Sequence, residues 1–488
     1  MKSVILIRLF RCLALIGFLL GLNSCHFFLP TPPSPPPPSA KRPLTPTYSC
    51  TSPTVAPVVP DESEVLPLID LLDIALQNSP ATRSTWYQAK MAAADVGSAR
   101  GAYLPTLNFT GSWMQELFAE VDSGEEIVTK EKNAKASLTT TYLLFDFGGR
   151  NGNLLSAIAA LDSLNWSYCW EVQTVMIQVI QSYYNYINAL GTIGVDEATV
   201  YDNRVTVEAA TARRKTGLDS LSDELQARTS LLQSQILLEQ DIGILKVAEA
   251  TLVQALGLPA DTPISVAGLP ENLVTEGVCQ DMTSLMELAK RHRSDLNAMR
   301  SGVMDAHFQI QTARSALLPS MDTSITGSKQ SLNDKKFVNA YDMQFNLYVP
   351  IFNQFTNLNN LRKAQANLLA TQAELDNLEL DAFLQVVSDY YELIANSQVL
   401  DYSHEYLKVA KKNQEVAFAN YKVGINTILD LMTANNALYL ARQYLVDAKT
   451  QFLTSLANLA YDTGTLRLCD ITEEDGVVLI DEEGDDER

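Results

Sequence analysis

Between residues 106 and 145 the chain alternates apolar and polar positions. Leu107, Phe109, Gly111 and Trp113 stand against Thr106, Asn108, Thr110 and Ser112, and Ala136, Leu138, Thr140, Tyr142 and Leu144 stand against lysine, serine and threonine. The alternation returns at Met321 and Ile325 against Asp322, Ser324 and Thr326, and at Tyr341, Met343, Phe345, Leu347 and Val349 against Asp342, Gln344 and Asn346. A period of two puts successive side chains on opposite faces, which predicts four strands in two hairpins, 104–145 and 318–350, each with one apolar and one polar face. Such a pattern suits a half-buried soluble sheet as well as a barrel in lipid.

The rest of the folded body reads as helix. Alanine, leucine, glutamine and asparagine dominate from Asn151 to Leu256 and from Asn353 to Thr463, with heptad-spaced sets such as Leu361, Leu368 and Leu375. Pro259, Pro263 and Pro270 interrupt the helical pattern. From Phe352 to Gly424, at about 1.5 Å per residue, a helical path reaches on the order of 100 Å, a length for crossing a compartment.

These elements occur twice. Ala99-Arg100-Gly101-Ala102-Tyr103-Leu104-Pro105 returns 214 residues later as Ala313-Arg314-Ser315-Ala316-Leu317-Leu318-Pro319, and Leu71 matches Leu285 at the same offset. Beyond the hairpin the offset is 207: Phe145 with Phe352, Gln178-Val179 with Gln385-Val386, Tyr183-Tyr184 with Tyr390-Tyr391, Gly217 with Gly424, Asp223 with Asp430, and Gly257 with Gly464. An internal two-fold repeat therefore governs the fold, with one copy over 67–262 and the other over 263–469.

The ends differ from this body. Lys2, Arg8 and Arg11 precede an apolar run, Leu13 to Leu22, which reads as a secretory signal over 1–24 and is too short for a spanning helix. Leu22-Asn23-Ser24-Cys25 resembles a bacterial lipobox, making Cys25 the expected lipidation site. His26 stands where an aspartate would resemble an inner-membrane retention signal, which favours the outer membrane. Thirteen of the twenty prolines lie between Pro30 and Pro67, so 25–66 reads as a lipid anchor with an extended tether. Residues 470–488 carry ten acidic side chains and one basic, a solvated tail.

A net charge of -21 argues against a nucleic-acid partner. The six cysteines and four histidines are scattered, with neither a disulfide framework nor metal spacing. Signatures of phosphate, dinucleotide, acyl-transfer and zinc chemistry are missing, so neither enzyme activity, catalytic residues nor a cofactor or metal is expected.

Four strands cannot close a membrane barrel, which needs about eight, and lipid tolerates no unpaired edge, so several chains must share one barrel. Three chains supply twelve strands, with Leu107, Phe109, Trp113, Tyr142, Tyr341 and Phe345 facing lipid; the arithmetic also permits two or four. The competing reading is a periplasmic coiled-coil scaffold or adaptor without a barrel.

Three motifs now stand together. They are Leu104-Pro105 and Leu318-Pro319 entering the hairpins; Leu144-Phe145-Asp146-Phe147-Gly148-Gly149 leaving the first, with Pro350-Ile351-Phe352-Asn353 after the second; and Tyr421-Lys422-Val423-Gly424 running to Asp430. With them the chain, over roughly Leu66 to Leu466, resembles the TolC family of outer-membrane efflux proteins, in its lipoprotein subgroup.

The resemblance implies a mainly α fold with a small β portion. It implies a homotrimer with a twelve-stranded outer-membrane β-barrel continued by a long α-helical coiled-coil periplasmic tunnel. The chain would then be the passive exit duct of a tripartite efflux pump or type I secretion system. Its partners would be outer-membrane lipid, a periplasmic adaptor (membrane fusion) protein and an inner-membrane transporter. The resemblance also implies a pore gate at Asp430, Asp223 and Tyr421, with Asp430 ringing the lumen and an Asp223–Tyr421 hydrogen bond holding the tunnel shut. Adaptor docking falls to Gly217, Leu218, Val423 and Gly424, glycines that would supply positive φ at the reversals. Two positions depart from the family pattern: Asn426 replaces a common arginine, and Thr433 a second acidic ring residue.

Overall fold

The repeat seen in the sequence is a repeat of elements in the computed structural model, which describes residues 65–122, 125–269, 281–332 and 336–466. The expected signal peptide, Cys25, nearly all of the tether and the tail 470–488 lie outside them. The first copy runs α1 (Leu68–Asn78), α2 (Pro80–Gly101), β2 (Thr106–Asp122), β3 (Glu125–Phe145), α3 (Gly149–Lys215) and α4 (Leu221–Ala255). The second runs α5 (Met282–His292), α6 (Ser294–Ser315), β5 (Ser320–Leu332), β6 (Val338–Tyr348), α7 (Thr356–Val423) and α8 (Ile428–Asp462). Short strands β1 (Val65–Leu66) and β4 (Ser265–Val266) pair in parallel. The last two residues of the expected tether are therefore structured: backbone pairing to Ser265–Val266, at the start of the second copy, fixes them, a long-range contact without local signal.

By compactness the chain divides differently from its repeats, since each unit draws on both copies. One holds the described parts of Tyr87–Asn165 and Ala298–Asp376; the other holds those of Ser34–Trp86, Trp166–Asn297 and Asn377–Arg488.

In the first unit the two hairpins join through an antiparallel β3–β5 ladder into one four-stranded sheet of order β2-β3-β5-β6. Register sorts its faces. Phe109, Leu138, Gly327 and Tyr341 lie directly opposite one another across the sheet, as do Leu107, Thr140, Ile325 and Met343. One residue along, Asn108, Thr139, Thr326 and Asp342 form a row on the other face, where the Thr139 and Thr326 hydroxyls meet at 3.1 Å. The Tyr341 ring lies beside Gly327, where an added Cβ would sit 3.7 Å from it. Among the described residues nothing covers the apolar face: Leu107, Phe109, Trp113, Met343, Phe345 and Leu347 are exposed, and Tyr341 is 82% exposed. A shift of register between Leu143 and Phe145 corrects the expected alternation. Past this bulge Phe145, not Leu144, pairs with Met321 and joins the apolar face, because an extra residue inverts the order of faces. Helices of this unit approach closely at Gly152, whose missing Cβ leaves room for the backbone of Thr312 and Phe308.

In the second unit the helices pack along heptad seams. On α7 the large set Val386, Leu393, Leu400 and Tyr421 and the small set Ala382, Ser403, Ala410 and Ala417 each recur at multiples of seven, and all are buried. On α3 the matching seam holds Val175, Ala189, Asp196 and Ala210. Clusters centred on Leu71, Val179 and Leu252 and on Leu285, Leu393 and Phe452 show the same arrangement in both copies. Leu361, Leu368 and Leu375, the heptad noted in the sequence, belong to the first unit and are half-buried.

A second stripe stays exposed with a different period. Leu369, Leu380, Tyr391 and Tyr402 on α7 recur every eleven residues, then Tyr402, Val409, Val416 and Val423 every seven. On α4, Leu221 and Leu232, and Leu225 and Ile236, repeat the eleven-residue step. None of the described helices is long and apolar enough to cross a membrane.

Candidate functional site

The helix reversals after α3 and α7 are built the same way. Each helix ends on a glycine in the left-handed region, Gly217 at φ 77° and Gly424 at φ 86°. Paired bonds cap the final carbonyls: Leu218 N–H to Arg213 O (2.9 Å) with Gly217 N–H to Arg214 O (2.9 Å), and Ile425 N–H to Asn420 O (2.9 Å) with Gly424 N–H to Tyr421 O (3.1 Å). Three residues beyond each glycine a capping box starts the next helix. The Ser220 hydroxyl accepts from Asp223 N–H at 3.2 Å while Asp223 Oδ2 accepts from Ser220 N–H at 2.9 Å; Thr427 and Asp430 do the same at 3.3 and 2.9 Å. The two aspartates matched by the repeat are thus both helix starters. Asp430 is exposed, and its bonds from the Thr427 backbone and hydroxyl hold its carboxyl below the usual range. Thr433, also exposed, donates to Leu429 O at 2.8 Å, and Asn426 is half-buried.

Tyr421 does not pair with Asp223 as expected. It is 1% exposed among Ala210, Ala227, Ala417, Ile428, Leu431 and Ala434, and its hydroxyl donates to Asp219 Oδ2 at 2.5 Å. The capping box explains the difference: Asp223 Oδ2 already accepts from Ser220 N–H and hydroxyl, while Asp219 lies in the loop beside the ring. Arg213 completes the arrangement. Its guanidinium grips both Asp219 oxygens at 2.9 Å, donates through Nη1 to Tyr421 O at 2.8 Å and Lys422 O at 3.3 Å, and lies 4.9 Å from the centre of the Tyr421 ring. One side chain from the end of α3 thereby ties up the carbonyl end of α7, where a cation also suits the helix dipole. The Arg213 hydrogen bond, then that from Tyr421, holds the Asp219 carboxyl below its ordinary value, while burial and then the Asp219 bond push the Tyr421 phenol up. A Cβ on Gly424 would lie 3.6 Å from Arg213 Nη1, so the glycine keeps the approach open as well as the turn.

Beside this clamp Glu224 is buried between Arg214 and Arg228. Burial opposes its ionisation, yet the Arg214 bond and the two guanidiniums hold its carboxyl low. Arg213, Asp219 and Glu224 escaped the sequence reading; the run Arg213-Arg214-Lys215 ending α3 was the available signal. Around the turns Leu218 (69%), Val423 (72%), Ile425 and Leu429 are exposed apolar side chains.

The family described as "Outer membrane efflux protein" matches residues 71–258 and 285–465, once for each repeat. The chain belongs to that family. Among relatives of the efflux-protein family, it is 26% identical to protein CyaE of Bordetella pertussis, covering 81% of this chain and 84% of that one. It is 23% identical to the proteases secretion protein PrtF of Dickeya chrysanthemi, covering 84% and 91%. The fold matches the outer membrane protein VceC of Vibrio cholerae with a TM-score of 0.73 at 18% identity, over 81% of this chain and 96% of that one. As an efflux-family member the protein is an outer-membrane exit duct that extends into the periplasm, in a family of transport channels.

Proposed function

We propose that three copies of this chain close into one duct, each giving four strands to a twelve-stranded barrel and its long helices to a periplasmic tunnel. The observation that carries this reading is a four-stranded sheet with an uncovered apolar face and two edge strands, β2 and β6, that have no outer ladder among the described residues. Such edges and such a face call for more strands and an apolar solvent. The exposed helical stripes support the same reading. An eleven-residue period follows a partner with a slight right-handed twist, and the change to seven at Tyr402 suits left-handed coiled-coil packing toward the α7–α8 turn.

Within the duct the Arg213–Asp219–Tyr421 clamp acts as the closing latch and Asp430 contributes a ring of negative charge. Exposed Leu218 and Val423, beside Gly217 and Gly424, form the surface that receives a periplasmic adaptor joined to an inner-membrane transporter. Acylation of Cys25 adds a lipid anchor, a reading supported by the lipobox. PrtF is a proteases secretion protein, and that likeness supports service in the secretion of proteins, as in a type I system; the duct itself would be a passive path. The mass of the detergent-extracted protein tests the assembly: three chains are expected, and a monodisperse single chain with intact strands overturns it.

A further inference from the structure

Asp196 sits in the α3 seam at heptad spacing from Ala189 and Asn203, is itself only 2% exposed, and has no hydrogen-bond partner for its Oδ2. The second repeat shows that the packing does not call for an acid there. At the matching places, 207 residues on, Ser403 stands for Asp196, Ala410 for Asn203 and Ala441 for Ser234. Ala410 and Ala441 close against Leu438 in a buried apolar cluster, and the Ser403 hydroxyl donates to Val399 O at 2.7 Å. The first repeat instead opens a cavity of about 270 Å³ between α3, α4 and α8, lined in part by Asp196, Asn203 and Ser234. An acid, an amide and a hydroxyl thus face a space that the other copy fills with a hydroxyl satisfied on its own helix and two methyl groups.

The walls describe an occupant. They hold one acid and no lysine, arginine or histidine, so a single positive charge would balance them. Thr199 spends its hydroxyl proton on Val195 O at 2.8 Å, Ser234 spends its own on Leu231 O at 2.9 Å, and Asn203 Nδ2 donates to Ser230 O at 3.4 Å. Each keeps oxygen lone pairs for an incoming donor. Leu237, Met432 and Tyr439 complete the lining with an apolar side, suited to an alkyl stem and, at the aromatic ring, to a cation. A hard divalent ion would find too few charged oxygens, and water alone would leave the carboxylate without a counter-charge. The volume falls just below the roughly 300 Å³ at which sites for drug-sized molecules begin, so the occupant is small. Burial, and then the neighbouring Asp241, push the Asp196 carboxyl up to about 7, the response of an acid that lacks a positive partner.

We propose that this cavity binds a small primary alkylammonium ion, one per chain, its N–H donors meeting Asp196 and the oxygens of Thr199 and Asn203 while its stem packs on Leu237 and Met432. The site lies within one chain and is independent of how copies assemble.

Saturation-transfer NMR on the full-length protein in detergent at pH 8, with n-butylammonium as probe and protein-free detergent as baseline, tests it. Saturable transfer to the butyl protons is expected, and 1-butanol, which has the same stem and no charge, should not compete. Asp196→Asn should weaken binding by about tenfold or more, the loss of a charged hydrogen-bond partner. Asp196→Ser, which matches the side chain of the second repeat, should do the same and serves if the asparagine variant folds poorly. Thr199→Val, which keeps the carboxylate and removes one acceptor, should weaken binding less. Equal transfer in wild type and both Asp196 variants would mean adherence to the acidic surface and would overturn the proposal. So would the absence of saturable transfer, or equal competition by 1-butanol, the signature of an apolar cavity alone.

Discussion

Tyr421→Phe removes one oxygen from a buried ring and opens no cavity, so its effect isolates the latch bond. The bond lost is an O–H to carboxylate contact of 2.5 Å, and charge-assisted bonds of this kind contribute about 1.5 to 3 kcal/mol. Asp219 is not orphaned by the change, because Arg213 still holds both its oxygens at 2.9 Å. The lower end therefore applies, about 1.5 kcal/mol per chain. Three chains opening together would lose about 4.5 kcal/mol, which at about 1.4 kcal/mol per factor of ten shifts the open-to-closed ratio roughly a thousandfold. Arg213→Lys should open the duct further, since lysine cannot reproduce the fork on Asp219, the contact with Tyr421 O and the stacking on the ring. Asp223→Asn should open it least, because Asp223 belongs to the capping box. Open probability in planar bilayers measures the series, with thermal stability of the trimer as control. The latch assignment fails if Tyr421→Phe leaves conductance unchanged in intact trimers, or if Asp223→Asn opens the duct while Asp219→Asn does not.

Three further outcomes follow from the same structure. Asp430→Asn keeps an oxygen for Thr427 N–H and so should preserve the start of α8 and trimer stability, while lowering cation preference and weakening block by multivalent cations; an unchanged reversal potential and block would make Asp430 only a capping residue. Asp389 is pushed up to about 8, first by burial and then by its bond to Asp462, so the folded state binds a proton that the unfolded state releases near 4. Stability should accordingly fall as pH rises from about 4 to 8, by at most about 1.4 kcal/mol per pH unit, and Asp389→Asn should flatten that slope; a slope identical in the variant would remove Asp389 from the account. Cys25→Ala should abolish acylation while leaving trimers able to form, and mass spectrometry of a mature N-terminus that is unmodified and begins elsewhere would refute the anchor.

The sequence by itself determined the periods, and with them the elements. Alternation at Leu107, Phe109 and Trp113 gave strands, the recurrence of Ala99–Pro105 at Ala313–Pro319 gave two matched copies, and Gly217 and Gly424 marked the reversals, because these signals are local or repeat in register. Only the tertiary structure decided which residues meet. The extra residue at Leu144 inverts a face only once β3 is laid against β5. Asp219 takes the Tyr421 hydroxyl because a capping box occupies Asp223, a competition between a bond three residues away and one about two hundred residues away. Arg213, Asp219 and Glu224 carry no spacing that marks them. Periodicity reports which face a side chain takes; the partner it finds there depends on packing between distant segments, which a linear pattern does not encode.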